Sequence, residues 1–222
     1  MRVGEEVRRR IQAEEFDYQS LLDSLKEYSR PRDKITGLLR RGEIIRVKKG
    51  LYIFGEKYRR RPYAREVLAN LIYGPSYISL EYALHYHGLI PERVEAVTSV
   101  ALGRSRRFAT PVGLFTYWGI AREAFWLGMD QYATESGQFF LMAGPEKALC
   151  DKIQQDRGAT SGAVPDLQEY LAEQLRVDIE LLAGLDPDRI GRIGEGYRSR
   201  KLQGLALWIG QLRRERAGDG DE

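Results

Sequence analysis

The sequence predicts an α+β chain, and three patterns carry that reading. Apolar residues recur at helical intervals as far as Leu39. Two β-rich runs, Glu43–Val47 and Leu51–Phe54, then flank the turn Lys48–Lys49–Gly50. From Glu95 apolar residues alternate as in strands, and from Val164 helical spacing returns. Short helices running straight into a two-stranded ribbon are the order of a winged helix-turn-helix, expected over residues 1–61. Residues 62–222 are then expected to form a larger α/β domain with an antiparallel sheet, mixed helix and sheet to about 156 and helical from about 164.

Charge divides the chain in the same place. Residues 30–61 hold twelve Lys or Arg against three acids, a balance of +9 where the whole chain carries +3. Residues 1–61 hold seventeen bases and ten acids, net +7, which leaves eighteen and twenty-two, net −4, for residues 62–222. A basic module joined to a mildly acidic one suits a nucleic-acid binder attached to something that avoids nucleic acid.

The first helix is expected from about Val3 to Ala13, with Val7, Arg10 and Ile11 on one face, ending in Glu14–Glu15. Asp17 can cap a second, over about 18–27, whose stripe is Leu21, Leu22 and Leu25. Pro31 suits the first position of a third, which buries Ile35, Leu38 and Leu39 and stops near Arg41–Gly42. The other face of that third helix carries Arg32, Lys34, Gly37 and Arg41, flanked by Thr36 and Arg40, with Arg30 just ahead. Arginine pairs bidentately with guanine edges, lysine holds phosphates, and Gly37 permits close approach to a groove. A basic face can also be merely solvated; the helix-turn-helix spacing in front and the ribbon behind favour DNA. At the ribbon, Arg46, Lys48 and Lys49 are expected to clamp phosphates.

Further along, Tyr63–Tyr73 is expected to be a helix with Val67, Leu68, Leu71 and Ile72 inward, closed by Gly74–Pro75. Ser79 can cap a helix running to His87, with Leu80, Ala83, Leu84 and His87 on one face. Strands are expected at 97–102, Arg107–Thr110, Val112–Trp118 and Phe139–Met142, with a second basic cluster in Gly103–Arg107. Pro145–Asp156 is expected to be helical, Gly191–Gly196 a helix interruption or turn, and Ser199 onward a final helix with a broad apolar face. The usual explanation of that face is packing on its own domain, although docking of a partner protein or dimerisation would use the same surface. The end, AGDGDE, is expected to fray.

Four runs in order, KITGLLRRGEIIRVKKGLYIF, AREVLANLIYGPSYISLEYALHYHGLIPE, TPVGLFTYWGI and GPEKALCDKI, resemble the AbiEi antitoxins of type IV toxin–antitoxin systems over most of residues 16–156. Residues 157–222 match only as generic helices. The resemblance implies a winged-helix domain that binds inverted repeats in double-stranded DNA ahead of its own operon. It also implies a C-terminal domain that neutralises a cognate nucleotidyltransferase-like toxin, directly or indirectly. A homodimer on DNA is compatible with it. The alternative is a stand-alone winged-helix regulator whose second half senses a ligand or dimerises.

An enzyme is not expected: the chain has no phosphate-binding glycine loop, no dinucleotide fingerprint, and no nucleophile spaced from a histidine base. His85 and His87 are two apart and diverge, so no metal is expected, nor any other cofactor. A lone Cys150, read as a core residue, excludes an internal disulfide framework. No apolar run reaches the roughly 20 residues that span a bilayer, and MRVGEEVRRR lacks the apolar core of a signal peptide, so a cytoplasmic protein with no membrane contact is expected.

Overall fold

Local rules set the N-terminal helices, and tertiary contacts trim them. The computed structural model describes residues 2–156 and 163–218. Helix α1, Val3–Arg10, stops three residues short of the expected end. The cause is Arg8, whose guanidinium donates to the Gln12 carbonyl (2.6 Å) and pairs with buried Glu14 (3.1 Å), drawing residues 11–14 out of helical register. Burial lowers the Arg8 pKa, against the opposing pull of Glu14. Strand β1, Glu15–Asp17, was not expected; it forms by pairing antiparallel with a later strand, Phe16 opposite Tyr52. Asp17 caps α2, Tyr18–Ser24, accepting from Ser20 N–H at 2.7 Å, and Pro31 opens α3, Pro31–Arg40.

The hairpin pairs β2, Ile44–Lys48, with β3, Leu51–Phe54, through a register irregularity between Arg46 and Lys48. Gly50, at φ +89°, supplies the left-handed backbone the turn needs. At the ribbon's other end Gly55 lies so close to Gly42 that an added Cβ would sit 1.7 Å from the Gly42 oxygen, so the close of β3 is locked onto the end of α3. Sheet order is β1-β3-β2. Strand β3 is buried on both faces. Tyr52 and Phe54 enter a small core with Val7, Phe16, Leu21, Leu25, Ile35, Leu38 and Ile44, while Leu51 and Ile53 enter the larger core of the later residues. The two-residue period of a strand thus ties the ribbon to both cores.

A six-stranded sheet forms the centre of the remainder: β4 (Ser76–Ile78), β5 (Val97–Leu102), β6 (Arg106–Thr110), β7 (Gly113–Ile120), β8 (Met129–Ala133) and β9 (Phe139–Ala143), in the order β6-β7-β5-β4-β9-β8. It is mixed, correcting the expected antiparallel sheet: β4–β9 and β5–β7 are parallel. The reason for the second is that the β6–β7 hairpin is inserted with β7 innermost, so β7 runs beside β5 in the same direction. Helices α4 (Arg65–Ile72), α5 (Leu80–Tyr86), α6 (Arg122–Phe125) and α7 (Pro145–Gln155) pack on the sheet. In α4 Ala69 takes the buried position expected of Leu71, which is 49% exposed.

The C-terminal helices are α8 (Val164–Glu169), running into a π-helical turn at Tyr170–Gln174, then α9 (Ile179–Ala183), α10 (Pro187–Tyr197) and α11 (Arg200–Gly218). Gly191–Gly196, expected as a break, lies inside α10; Gly194 there faces Leu202 and Gln203, letting α10 and α11 pack closely. The apolar face of α11 is covered by the chain itself, with Leu202, Leu205, Trp208 and Ile209 buried in the larger core. The overall architecture is mixed α+β: N-terminal helices with a three-stranded antiparallel sheet, a six-stranded mixed sheet, and C-terminal helices. No helix among the described residues is long and apolar enough to cross a membrane. The match of residues 157–162 to generic helices and the expected fraying of residues 219–222 lie outside the described residues.

Candidate nucleic-acid interface

Helix α3 separates its two faces cleanly. Ile35 and Leu38 are buried and Leu39 half-buried, while Arg32, Lys34, Thr36 and Arg40 are exposed, as is Arg30 at the residue before the helix. Lys34 Nζ lies 5.3 Å from the centre of the Tyr28 ring, which steadies the ammonium without neutralising it. The Thr36 hydroxyl donates back to the Arg32 carbonyl at 3.1 Å, leaving only its lone pairs for an outside donor. Arg41, in the turn after α3, is held differently. Its Nε and Nη2 donate to Glu43 Oε1 (2.7 Å) and Oε2 (3.3 Å), and the hydrogen bond to Glu43 raises its pKa further. Glu43 is buried, so this forked pair fixes Arg41 over the ribbon's start and away from free rotation.

On the ribbon, Arg46 and Lys49 are exposed, and Lys49 sits at the hairpin turn beside Gly50. Lys48 differs from the expected clamp in its placement. It is half-buried, its Nζ donates to the backbone carbonyl of Ile72 at the end of α4, and burial lowers its pKa. Eight of the nine expected DNA-contacting residues are therefore exposed in the stretch from Arg30 to Lys49, and the ninth is turned inward. The bases that follow fold back on the chain: Arg59 stacks over Tyr63 (5.3 Å), Arg60 Nη1 donates to Gln12 Oε1 (2.7 Å), and Arg61 Nη1 donates to the Ser136 carbonyl (3.4 Å). In the second basic cluster Arg104, Arg106 and Arg107 are exposed, and the Arg104 carbonyl accepts from Tyr73 OH at 3.2 Å.

Sequence reasoning missed a buried polar centre beneath the sheet. Lys147 and Asp151, both fully buried on α7, pair at 2.8 Å. Asp151 also accepts from Tyr77 OH (3.0 Å), Ser79 Oγ (2.7 Å) and Tyr197 OH (2.5 Å), while Lys147 donates to the Ala124 carbonyl (2.9 Å) and stacks over Tyr197 (4.4 Å). Burial, then the Asp151 charge, pushes the Tyr77 and Tyr197 phenols well up, so both stay neutral donors. This network joins β4, α6, α7 and α10. It also displaces Ser79 from its expected capping role: Thr98 Oγ1 instead accepts from Tyr82 N–H (3.0 Å) in the first turn of α5. Four residues' spacing of Lys and Asp on a helix normally marks a solvated pair, which is why burial was not legible.

Cys150 beside this centre is fully buried, and burial pushes its thiol far above the ordinary value, so it is a packing residue with no thiolate to offer. His85 is exposed, whereas His87 Nε2 lies 2.8 Å from the Ala143 carbonyl, so the two imidazoles do not converge. Among the described residues no group of three or more His, Cys, Asp or Glu is placed to hold a metal ion. No protein-family model matches this chain, and a search of curated proteins finds no match to it either.

Proposed function

We propose that this chain is a cytoplasmic antitoxin of the AbiEi kind, with no catalytic activity of its own. In this reading it represses its own operon through an N-terminal winged helix-turn-helix and neutralises a nucleotidyltransferase-like toxin through the residues that follow. The observation that supports the DNA half is the division of α3. One face is packed by Ile35 and Leu38, and the other presents Arg32, Lys34, Thr36 and Arg40 to solvent. Helix α3 takes the recognition position, reading base edges in the major groove, with Arg30 and Arg41 at its ends. The β2–β3 hairpin is the wing, where Arg46 and Lys49 hold phosphates. Lys48 belongs with them only if it leaves the Ile72 carbonyl on binding.

The antitoxin half rests on the resemblance of the runs from Ala64 to Ile153. Fluorescence anisotropy with duplexes from the region upstream of the gene tests the DNA half. Inverted-repeat duplexes should bind tighter than scrambled ones by a factor on the order of 10³ or more at fixed salt. Equal affinity for both would remove sequence-specific repression from the proposal.

A further inference from the structure

A cleft of about 420 Å³ opens between the strap after the basic run, α4, the end of α5 and the β8–β9 turn. Three rings line it, Tyr63, Tyr86 and Phe140, together with the carboxylates Glu66 and Glu135. No lysine, arginine or histidine is among its lining residues. In a chain with a net charge of +3 and three consecutive arginines immediately before the strap, that composition is unexpected. Of those arginines only Arg60 turns away, onto Gln12; Arg59 lies over Tyr63 and Arg61 donates to the Ser136 carbonyl, both at the cleft's own wall, which leaves Tyr86 and Glu135 as the ring and carboxylate that no arginine engages. Glu66 accepts from the Tyr82 hydroxyl, and neither Glu66 nor Glu135 forms an ion pair among the described residues.

The ring walls are held in place before any ligand arrives. Tyr86 meets Phe140 edge-on at 6.4 Å and Tyr132 at 5.8 Å, Tyr132 stacks on Phe140 at 6.0 Å, and His87 closes against Tyr86 at 5.5 Å. Tyr86 nevertheless remains 48% exposed, so a ring face is open to the cleft mouth. The turn that carries Glu135 is closed by Thr134 N–H to the Gln138 carbonyl at 2.8 Å.

We propose that this cleft binds a small organic cation, a guanidinium or alkylammonium group. The exposed Tyr86 ring attracts such a cation through its negative quadrupole, and the exposed Glu135 carboxylate, with Glu66 beside Tyr82, supplies the counter-charge. The volume falls within the usual range for small-ligand sites. Arg59 over Tyr63, at 5.3 Å, shows one of these rings already accepting a guanidinium within the chain. The proposal stands apart from DNA binding and antitoxicity and does not depend on either.

Isothermal titration of the full chain with N-acetyl-arginine amide, and with its uncharged urea isostere N-acetyl-citrulline amide, tests it. The expected result is saturable one-to-one binding of the arginine probe, at least tenfold tighter than the isostere, and weakened by added salt. Tyr86→Leu, which keeps apolar bulk and a folded chain but removes the ring, and Glu135→Gln, on an exposed turn and with an unchanged thermal melt, should each weaken the arginine probe at least threefold. Absent binding, equal affinity for the two probes, or unchanged affinity in either folded variant overturns the proposal.

Discussion

Lys48 Nζ donates to the backbone carbonyl of Ile72 and so ties the β2–β3 hairpin to the last turn of α4. Two adjacent lysines at one hairpin turn therefore have different work, since Lys49 is exposed beside it. Lys48→Met, which keeps the aliphatic stem, should lower stability by about 1 kcal/mol, the usual net worth of such a bond, read from the urea midpoint. Lys49→Ala should leave that midpoint alone and make the salt dependence of duplex binding shallower by about 0.9 in log–log slope. An unchanged midpoint for Lys48→Met would mean that its bond to Ile72 contributes nothing in solution.

Under the proposed DNA-binding reading, base contacts fall first to Arg32 and Lys34, which are exposed and whose charged ends have no ion-pair partner among the described residues. Arg32→Ala or Lys34→Ala should weaken a specific duplex by ~1–3 kcal/mol and a scrambled one much less. Arg41→Ala should cost less than either, because Glu43 already occupies the guanidinium's fork. Anisotropy against both duplexes measures this, and an Arg41 effect larger than that of Lys34 would reverse the assignment.

The Lys147–Asp151 pair should be the most sensitive point in the larger core. Asp151→Asn leaves a buried ammonium without its counter-charge and should cost about 3–5 kcal/mol. Replacing both partners, Lys147→Met with Asp151→Leu, should recover part of that loss even though three hydroxyl donors lose their acceptor. Denaturant midpoints of the single and double variants decide it; a double variant less stable than the single would show that the hydroxyls matter more than the charge.

Asp17 offers a pH test. The backbone hydrogen bond from Ser20 lowers its folded pKa, so its contribution is fully present above the unfolded value of about 4 and is lost as pH falls through the folded value. Asp17→Ala should cost about 0.5–2 kcal/mol at neutral pH, and the difference from wild type should shrink on acidification below about pH 4. A difference that persists unchanged to pH 2 would place the loss in packing and not in the cap.

Much of this architecture was legible because it is encoded locally. Pro31, the Ile35–Leu38 stripe, the Asp17 cap and the Gly50 turn each carry their own stereochemical signal, and each stands where the sequence placed it. The three-residue strands β1 and β4 carry none, since they become strands only by pairing with β3, or with β5 and β9. Strand direction was likewise hidden: alternation in Val97–Leu102 tells which face is buried and nothing about whether β7 runs parallel. In the candidate interface the sequence marked basic residues but could not tell engaged from free ones. Lys48 and Lys49 differ only in what their neighbours across the fold accept. The aromatic cleft was also invisible, because Tyr63, Tyr86 and the Glu135–Phe140 hairpin come from three separate segments.

Antitoxicity is the central proposal, and growth rescue tests it most directly. The neighbouring gene, which the proposal expects to encode a nucleotidyltransferase, would be expressed from an inducible promoter, alone or with this chain supplied from a separate promoter unrelated to its own operon. Growth arrest by the enzyme alone, relieved by the full chain and equally by the Lys34→Ala, Lys49→Ala double variant, is the expected result. Arrest that persists with the wild-type chain present at matched levels, or a neighbouring gene that encodes no such enzyme, would contradict it.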